Sequence, residues 1–340
     1  MREVPVQEAV GLVLGHDVTR IVPGREKSRA FRKGHVISSE DIPQLLDLGK
    51  RHIYVWDPVP GMVHEDEAAL RLARLAAGPG LAGDDPNQGK VNLMAARDGL
   101  LKVRTDLLGK INALEGVALA TLHNNRLVAK GKVVAGTRVI PLMIGSDVLA
   151  EAENLCAGEP LLTVTSLQSL WVGLVTTGSE VYEGRVRDGF GSVVRQKVTP
   201  LGGRLLGQVI VPDNPQVIAA EIRRLVGEGA GLVLVTGGMS VDADDVTPAG
   251  IRAAGAEVVF YGTPVLPGSM FMLGYVGHVP VCGLPGCVMF NHTTVFDLLL
   301  PRIFAGERIS REDIVALGHG GLCEECEVCR FPACSFGKGV

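Results

Sequence analysis

One short run, Gly231-Leu-Val-Leu-Val235, constrains the fold of this chain more than any other stretch. Only a strand covered on both faces is continuously apolar, so the run predicts a buried strand of a parallel sheet. It leads into Gly237-Gly238, then Met239-Ser240, then an acidic loop that ends in Asp245-Val246 before Thr247-Pro248. Thr as N-cap and Pro at the first helical position predict a helix start there. Glycines let a backbone approach a ligand and turn N–H groups toward it. Open α/β sheets bind ligands beyond the C-terminal ends of their strands, which makes this loop the first candidate site.

The pattern around it alternates strands and helices from Trp171 onward, which predicts an α/β domain with a mostly parallel sheet and helices on both faces. A strand over 171–176 ends in Thr177-Gly178-Ser179-Glu180. A helix over 190–199, a strand over 205–211 and a helix over 216–227 follow, the last with Asn214 as N-cap and Pro215 at its first position. Beyond the acidic loop come a helix over 248–254, a strand over 257–260 and a hairpin over 270–283 turning at Gly277-His278. Gly283-Leu-Pro285-Gly286 then leads into one helix running from Val288 towards Phe304.

At 340 residues the chain is long enough for two or three domains. The divisions expected are an α+β segment over 1–60, a mostly β flanking domain over 61–168, the α/β domain over 169–306 and a Cys-rich tail over 307–340. In the first, a polar Lys/Arg stretch precedes a helix capped by Ser38 or Ser39 and stopped by Gly49, then a strand over 52–56. His35 and His52 lack metal-ligand spacing and read as structural or surface residues. The second begins with an amphipathic helix over 65–77. Strands over 101–104, 117–121, 127–130 and 132–134 follow, with a turn at Asn124-Asn125. Gly136-Thr-Arg138 reads as a strand-connecting turn, with an anion contact as the alternative.

Net charge is −4 with no basic stripe, which disfavours nucleic acid as a partner. Aromatic residues make up only 4%, too few for base-stacking platforms. No apolar span reaches the ~18 residues of a membrane helix and the N-terminus lacks a signal pattern, so a soluble, cytoplasmic protein is expected, with no membrane partner. A homo-oligomer is expected.

Three loops share one logic: Thr177-Gly178-Ser179-Glu180, Gly237 to Asp245, and Gly283-Leu-Pro285-Gly286 each follow a strand. Together they offer backbone donors for phosphate, with Glu180, Asp213 and Asp245 as candidate Mg²⁺ or ligand contacts. At these residues, over roughly 171–305, the sequence resembles the molybdopterin-binding domain family shared by molybdopterin molybdenumtransferases and adenylyltransferases. Ser179 stands where the family has Asp, Asp213 matches its acidic residue before the second helix, and Asp245 matches the aspartate at its pterin–nucleotide site. A weaker likeness places 34–55 beside a family segment upstream of this domain. Three departures stand out. Leu266-Pro-Gly-Ser269 replaces the transferases' Lys-Pro-Gly-Lys, Cys287-Val288 follows Gly286 where Asn-Pro is usual, and the Ser-Ala-Met-Asp-Gly-Tyr-Ala motif has no counterpart.

The resemblance implies a molybdenum cofactor biosynthesis protein that binds molybdopterin or its adenylylated form and inserts molybdate with Mg²⁺ and release of AMP. Asp245 and Glu180 would position metal and nucleotide phosphate. Thr177, Gly178, Ser179, Asp213, Gly237, Gly238, Met239, Ser240, Gly283, Pro285 and Gly286 would hold the pterin. The alternative is a non-catalytic carrier or maturation protein for the cofactor, its Cys tail docking a molybdoenzyme or another redox partner.

Four of the seven cysteines crowd into the tail as Cys323-x₂-Cys326-x₂-Cys329-x₄-Cys334. In a reducing compartment such crowding favours a metal over disulfides. Ferredoxin-like spacing points to a [4Fe–4S] cluster, with tetrahedral Zn²⁺ as the runner-up. Gly318-His319-Gly-Gly321 reads as a hinge ahead of it. Cys282, Cys287 and Cys156 read mainly as packing residues.

Overall fold

The structure, a computed structural model, describes residues 1–22, 24 and 26–339. Pro23 and Arg25, from the Lys/Arg stretch, lie outside the described residues. The chain divides into two compact units, one of residues 1–97, 102–122 and 129–164, the other of 98–101, 123–128 and 165–340.

In the first unit, the strand Arg2–Pro5 pairs antiparallel with His52–Val55 over a small core of Val4, Val6, Leu14, Ile37, Leu45 and Ile53. The helix here is Asp41–Asp47, and its start differs from expectation. No serine side chain caps it; instead Asp41 accepts from the Ser38 N–H at 2.8 Å and its hydroxyl at 2.9 Å. His35 Nε2 meets the same carboxylate at 2.7 Å, which gives that histidine a structural role. The rest of the unit packs the helix Glu65–Ala76 onto a four-stranded antiparallel sheet through Ala68, Ala69, Leu72, Ala73 and Ala76. Two further helices, Thr105–Asn112 and Ser146–Leu155, make it α+β rather than mostly β. Gly136-Thr137-Arg138 is not a turn but the middle of the strand Val133–Val139, paired on both sides. Its backbone groups are spent on neighbouring strands, so the backbone there offers an anion no donors.

The second unit holds the α/β sheet, labelled here in chain order. Its strands are β1 (Trp171–Thr177), β2 (Arg204–Val211), β3 (Leu232–Thr236), β4 (Glu257–Tyr261), β5 (Met272–Val276) and β6 (Val279–Leu284). Its helices are α1 (Ser179–Tyr182), α2 (Phe190–Val198), α3 (Pro215–Gly227), α4 (Thr247–Ala253), α5 (Cys287–Phe290), α6 (Val295–Phe304) and α7 (Arg311–Val315). Strand order is β2-β1-β3-β6-β5-β4. The pairings β2–β1, β1–β3 and β3–β6 are parallel, while the β5–β6 hairpin and the β4 edge are antiparallel. The sheet is therefore mainly parallel, as an α/β pattern demands.

The apolar run in β3 has a direct cause. Leu232 and Leu234 join the core beneath α2 and α6, with Val194, Val198, Phe296, Leu299 and Phe304. Val233 and Val235 point the other way, into a second core with Ile218, Ile222, Leu225 and Ile251 from α3 and α4. All four are fully buried, each worth ~1.5–3 kcal/mol. Asn214 caps α3 as its chemistry predicts, accepting from the N–H groups of Gln216 at 3.0 Å and Val217 at 3.2 Å.

Two local expectations fail. The single helix expected from Val288 towards Phe304 is two, α5 and α6, separated at 291–294. A capping box restarts the chain: Asp297 accepts from the Thr294 N–H at 2.8 Å while Thr294 accepts from the Phe296 N–H at 3.2 Å. The glycines at 318–321 are not a hinge. Gly321 accepts from the Leu266 N–H and Gly320 from the Gly337 N–H, both at 2.8 Å, and Phe336 is buried in the core below α6.

Candidate functional site

The strands β1, β3 and β6 are adjacent and parallel, so the three glycine loops leave the sheet from the same edge. The second and third of these loops border an exposed cleft of about 480 Å³. One wall is the β3–α4 loop, with Gly237, Gly238, Met239, Ser240, Asp242 and Asp245. The other is made by Pro285, Gly286 and Cys287 after β6 and by 266–270 after β4, with Phe190 at the start of α2. Asp188 accepts from the Phe190 N–H at 2.9 Å and so fixes that end of α2.

The β3–α4 loop is built by close contact. Gly237 has φ +90°, and a Cβ there would stand 2.3 Å from the Thr177 carbonyl oxygen. Only glycine lets the two strand ends approach this closely. Thr247 is the first helical residue rather than the cap, and the Thr177 and Thr247 hydroxyls lie 3.0 Å apart, both buried. The loop closes on itself, Asp245 accepting from the Asp242 N–H at 3.0 Å and Gly238 from the Thr247 N–H at 3.2 Å. Thr236, at its base, is fully buried, and its hydroxyl has no hydrogen-bond partner among the described residues.

The first loop is held separately. The Ser179 N–H donates to Asp213 at 2.7 Å, and the Asp213 N–H donates back to the Ser179 hydroxyl at 3.4 Å. Glu180 folds its carboxylate over Gly178. Thr177, Gly178, Ser179, Glu180 and Asp213 thus form a unit at the neighbouring strand end and are not among the residues lining the cleft. Gly283 lies inside β6, where a Cβ would meet the Met239 side chain at 2.6 Å, so its lack of a side chain makes room for Met239.

This arrangement meets a known family. Residues 173–305 match the family described as a probable molybdopterin binding domain. That stretch of the chain is similar to the domains of this family. Residues 3–57 match a family described only as a domain of unknown function. A CinA-like protein of Mycobacterium sp. (strain MCS) is 39% identical over 88 residues, 26% of this chain and 21% of that protein. A molybdopterin molybdenumtransferase of Synechococcus elongatus is 25% identical over 197 residues, 48% of each chain. The chain thus spans between a fifth and a half of the length of these relatives. Among solved structures, the molybdopterin biosynthesis enzyme MoaB from a Thermus species has TM-score 0.33 at 21% identity, covering 39% of this chain and 90% of its own. The tungsten cofactor synthesizing protein MoaB from Pyrococcus furiosus has TM-score 0.33 at 18%, covering 41% and 98%.

Within residues 173–305, Tyr261 braces the cleft loop and was missed by sequence reasoning. Its hydroxyl donates to the carbonyls of Met239 at 3.0 Å and Ser240 at 3.3 Å, pinning the loop from β4. Burial first, then the Asp245 charge, push its hydroxyl pKa up, opposed by Arg252. The only sequence signal was a tyrosine ending an edge strand, where its polar tip needs a partner. Of the two cysteines flanking the Gly-Leu-Pro-Gly turn, Cys282 is fully buried and its thiol is pushed far up by burial. Cys287 instead lines the cleft, and burial, then the Asp297 charge, raise its thiol too.

The four tail cysteines, all free thiols, border one cavity of about 290 Å³. Phe290 at the end of α5 and Asn291, His292 and Thr293 from the break after it also line it; His319 does not. No group of three or more His, Cys, Asp or Glu side chains among the described residues is placed to hold a single metal ion. No helix among the described residues is long and apolar enough to cross a membrane.

Proposed function

We propose that the cleft binds molybdopterin, free or adenylylated, in molybdenum cofactor biosynthesis. What carries the reading is that the Gly237–Asp245 loop and Pro285-Gly286, remote in sequence, line one cleft in a stretch similar to the molybdopterin-binding family. The loop's internal bonds use the N–H groups of Asp242, Asp245, Val246 and Thr247. None of these bonds uses the N–H of Gly238, Met239 or Ser240, which are the donors assigned to the ligand's phosphate. Ser179 and Asp213 brace the neighbouring loop, and Glu180 extends the acidic edge.

Two carboxylates, Asp242 and Asp245, line the cleft, which fits Mg²⁺ held by one or two protein groups plus ligand phosphates. Bound there, Mg²⁺ would neutralise phosphate charge. Molybdate insertion with AMP release is the activity the family resemblance implies. A carrier or maturation role is the second reading, and a specific observation favours it. Leu266 and Ser269 line the cleft, and no Lys or Arg is among its described lining residues to meet an oxyanion. The tail cysteines form a second site, for a metal centre, through which a molybdoenzyme or redox partner would dock.

The test incubates the purified chain with adenylylated molybdopterin, Mg²⁺ and molybdate, following AMP release and identifying bound pterin by mass. Pterin retained without AMP supports the carrier; AMP release with molybdenum retained supports insertion. Absence of any pterin binding would refute the reading.

A further inference from the structure

The tail cavity carries more than the presence of four thiols. Two spaced pairs bring the cysteines to one opening from different depths: Cys323 and Cys334 are half-buried against the core, while Cys326 and Cys329 are exposed. Glu325, between the first pair, takes a left-handed φ of +50°, an uncommon conformation for a side-chain-bearing residue and one that turns the segment tightly. The frame does not depend on the thiols. The Cys323 N–H donates to the Leu266 carbonyl at 2.8 Å, the Ser335 hydroxyl donates to Glu324 at 2.9 Å, and Phe336 anchors the far end in the core.

Placement then separates the two candidate metals: among the described residues no three of these thiols are placed to share a single ion, whereas a cluster is held by cysteines on separate irons. A zinc ion draws four sulfurs to roughly 2.3 Å and leaves no void between them. Here all four thiols border the same opening. Phe290 and Phe331 also line the cavity. Thr293, itself buried, places its hydroxyl 3.6 Å from the Cys329 sulfur, in reach of a hydrogen bond to a ligating thiolate.

We infer that this cavity takes a polynuclear iron–sulfur cluster, [4Fe–4S], on Cys323, Cys326, Cys329 and Cys334, with Thr293 as a positioning residue that tunes it. The inference deepens the reading of the tail as a metal site and rests on it. It is independent of what the cleft binds. The cavity wall 290–293 continues directly from Cys287 of the cleft, so the cluster lies one short segment from the bound ligand.

The full chain, purified without oxygen and reconstituted with ferrous iron and sulfide, is assayed for iron, sulfide and zinc. It is then reduced with dithionite, which supplies one electron per cluster, and examined by electron paramagnetic resonance. The expected result is about four iron and four sulfide per chain, brown colour, and a paramagnetic signal only after reduction. Cys326→Ser and Cys329→Ser, at exposed positions, should lose the signal, while the metal-free variants unfold in urea as the metal-free wild type does. Thr293→Val should keep the iron but lower the midpoint potential, because a hydrogen bond to sulfur favours the reduced form. Zinc that resists replacement by iron would overturn the cluster and leave the metal site standing. A two-iron product would overturn the cubane, and protein holding neither metal would overturn both readings.

Discussion

The hydroxyls of Thr177 and Thr247 meet at 3.0 Å, sealed from solvent, although seventy residues separate them. One ends β1 and the other begins α4, so this bond ties the first glycine loop to the helix that follows the acidic loop. Removing one partner strands the other in the interior, at a cost of ~1–3 kcal/mol. Thr177→Val and Thr247→Val should each destabilise the chain by that amount in urea unfolding. The double variant should lose clearly less than the sum, the signature of a direct contact. Additive losses would show that the bond contributes nothing.

Much of this domain was legible because its causes are local or periodic. Val233 and Leu234 face opposite cores, and that is why the run around them is apolar throughout. Asn214-Pro215 starts a helix through chemistry contained within four residues. What was illegible depends on partners far away in sequence. Nothing near Tyr261 says that its hydroxyl will reach Met239, and nothing near Gly136 says that strands will pair on both sides of it. The break between α5 and α6 is a different case. Thr294-x-x-Asp297 is a readable capping box, outweighed by the apolar run that follows it. The cysteine cavity was half legible, since spacing names the thiols but only the fold supplies Phe290 and Thr293 to its lining.

Asp245→Asn tests the acidic wall without dismantling it. The asparagine oxygen can still accept from the Asp242 N–H, so the loop should keep its shape. The lost charge should cost ~1.5–3 kcal/mol of ligand binding, on the order of ten- to a hundredfold in affinity. Isothermal titration with adenylylated molybdopterin and Mg²⁺ reads this directly, and unchanged affinity would remove Asp245 from the site.

The first unit carries a titration of its own. Glu65 is buried, and its carboxyl is pushed up to about 7 by that burial, then by the Asp66 and Asp17 charges, against Lys33 and Arg138. In the unfolded chain it titrates near 4.5. Its contribution to stability is therefore complete below 4.5 and is lost as pH rises through about 7. The shift corresponds to roughly 3 kcal/mol, an order-of-magnitude figure. Glu65→Gln should flatten the decline in unfolding free energy between about pH 4 and 8. An equally steep decline in the variant would assign the effect to another group.

Leu266 and Ser269 offer the sharpest division between carrier and transferase. Both side chains line the cleft, where the described lining includes Asp242 and Asp245 and no cation. Leu266→Lys with Ser269→Lys would place two ammonium groups beside a bound oxyanion, where fixed charges stabilise developing negative charge. If the cleft already orients an adenylylated pterin, molybdate-dependent AMP release should rise by on the order of tenfold or more, as one charge-assisted contact of ~1.5–3 kcal/mol predicts. The rise should weaken with added salt, because the cleft is open to solvent and its charges are screened. A double variant that binds pterin as well as the wild type yet releases no AMP would show that missing lysines are not what separates this cleft from a molybdate-inserting one.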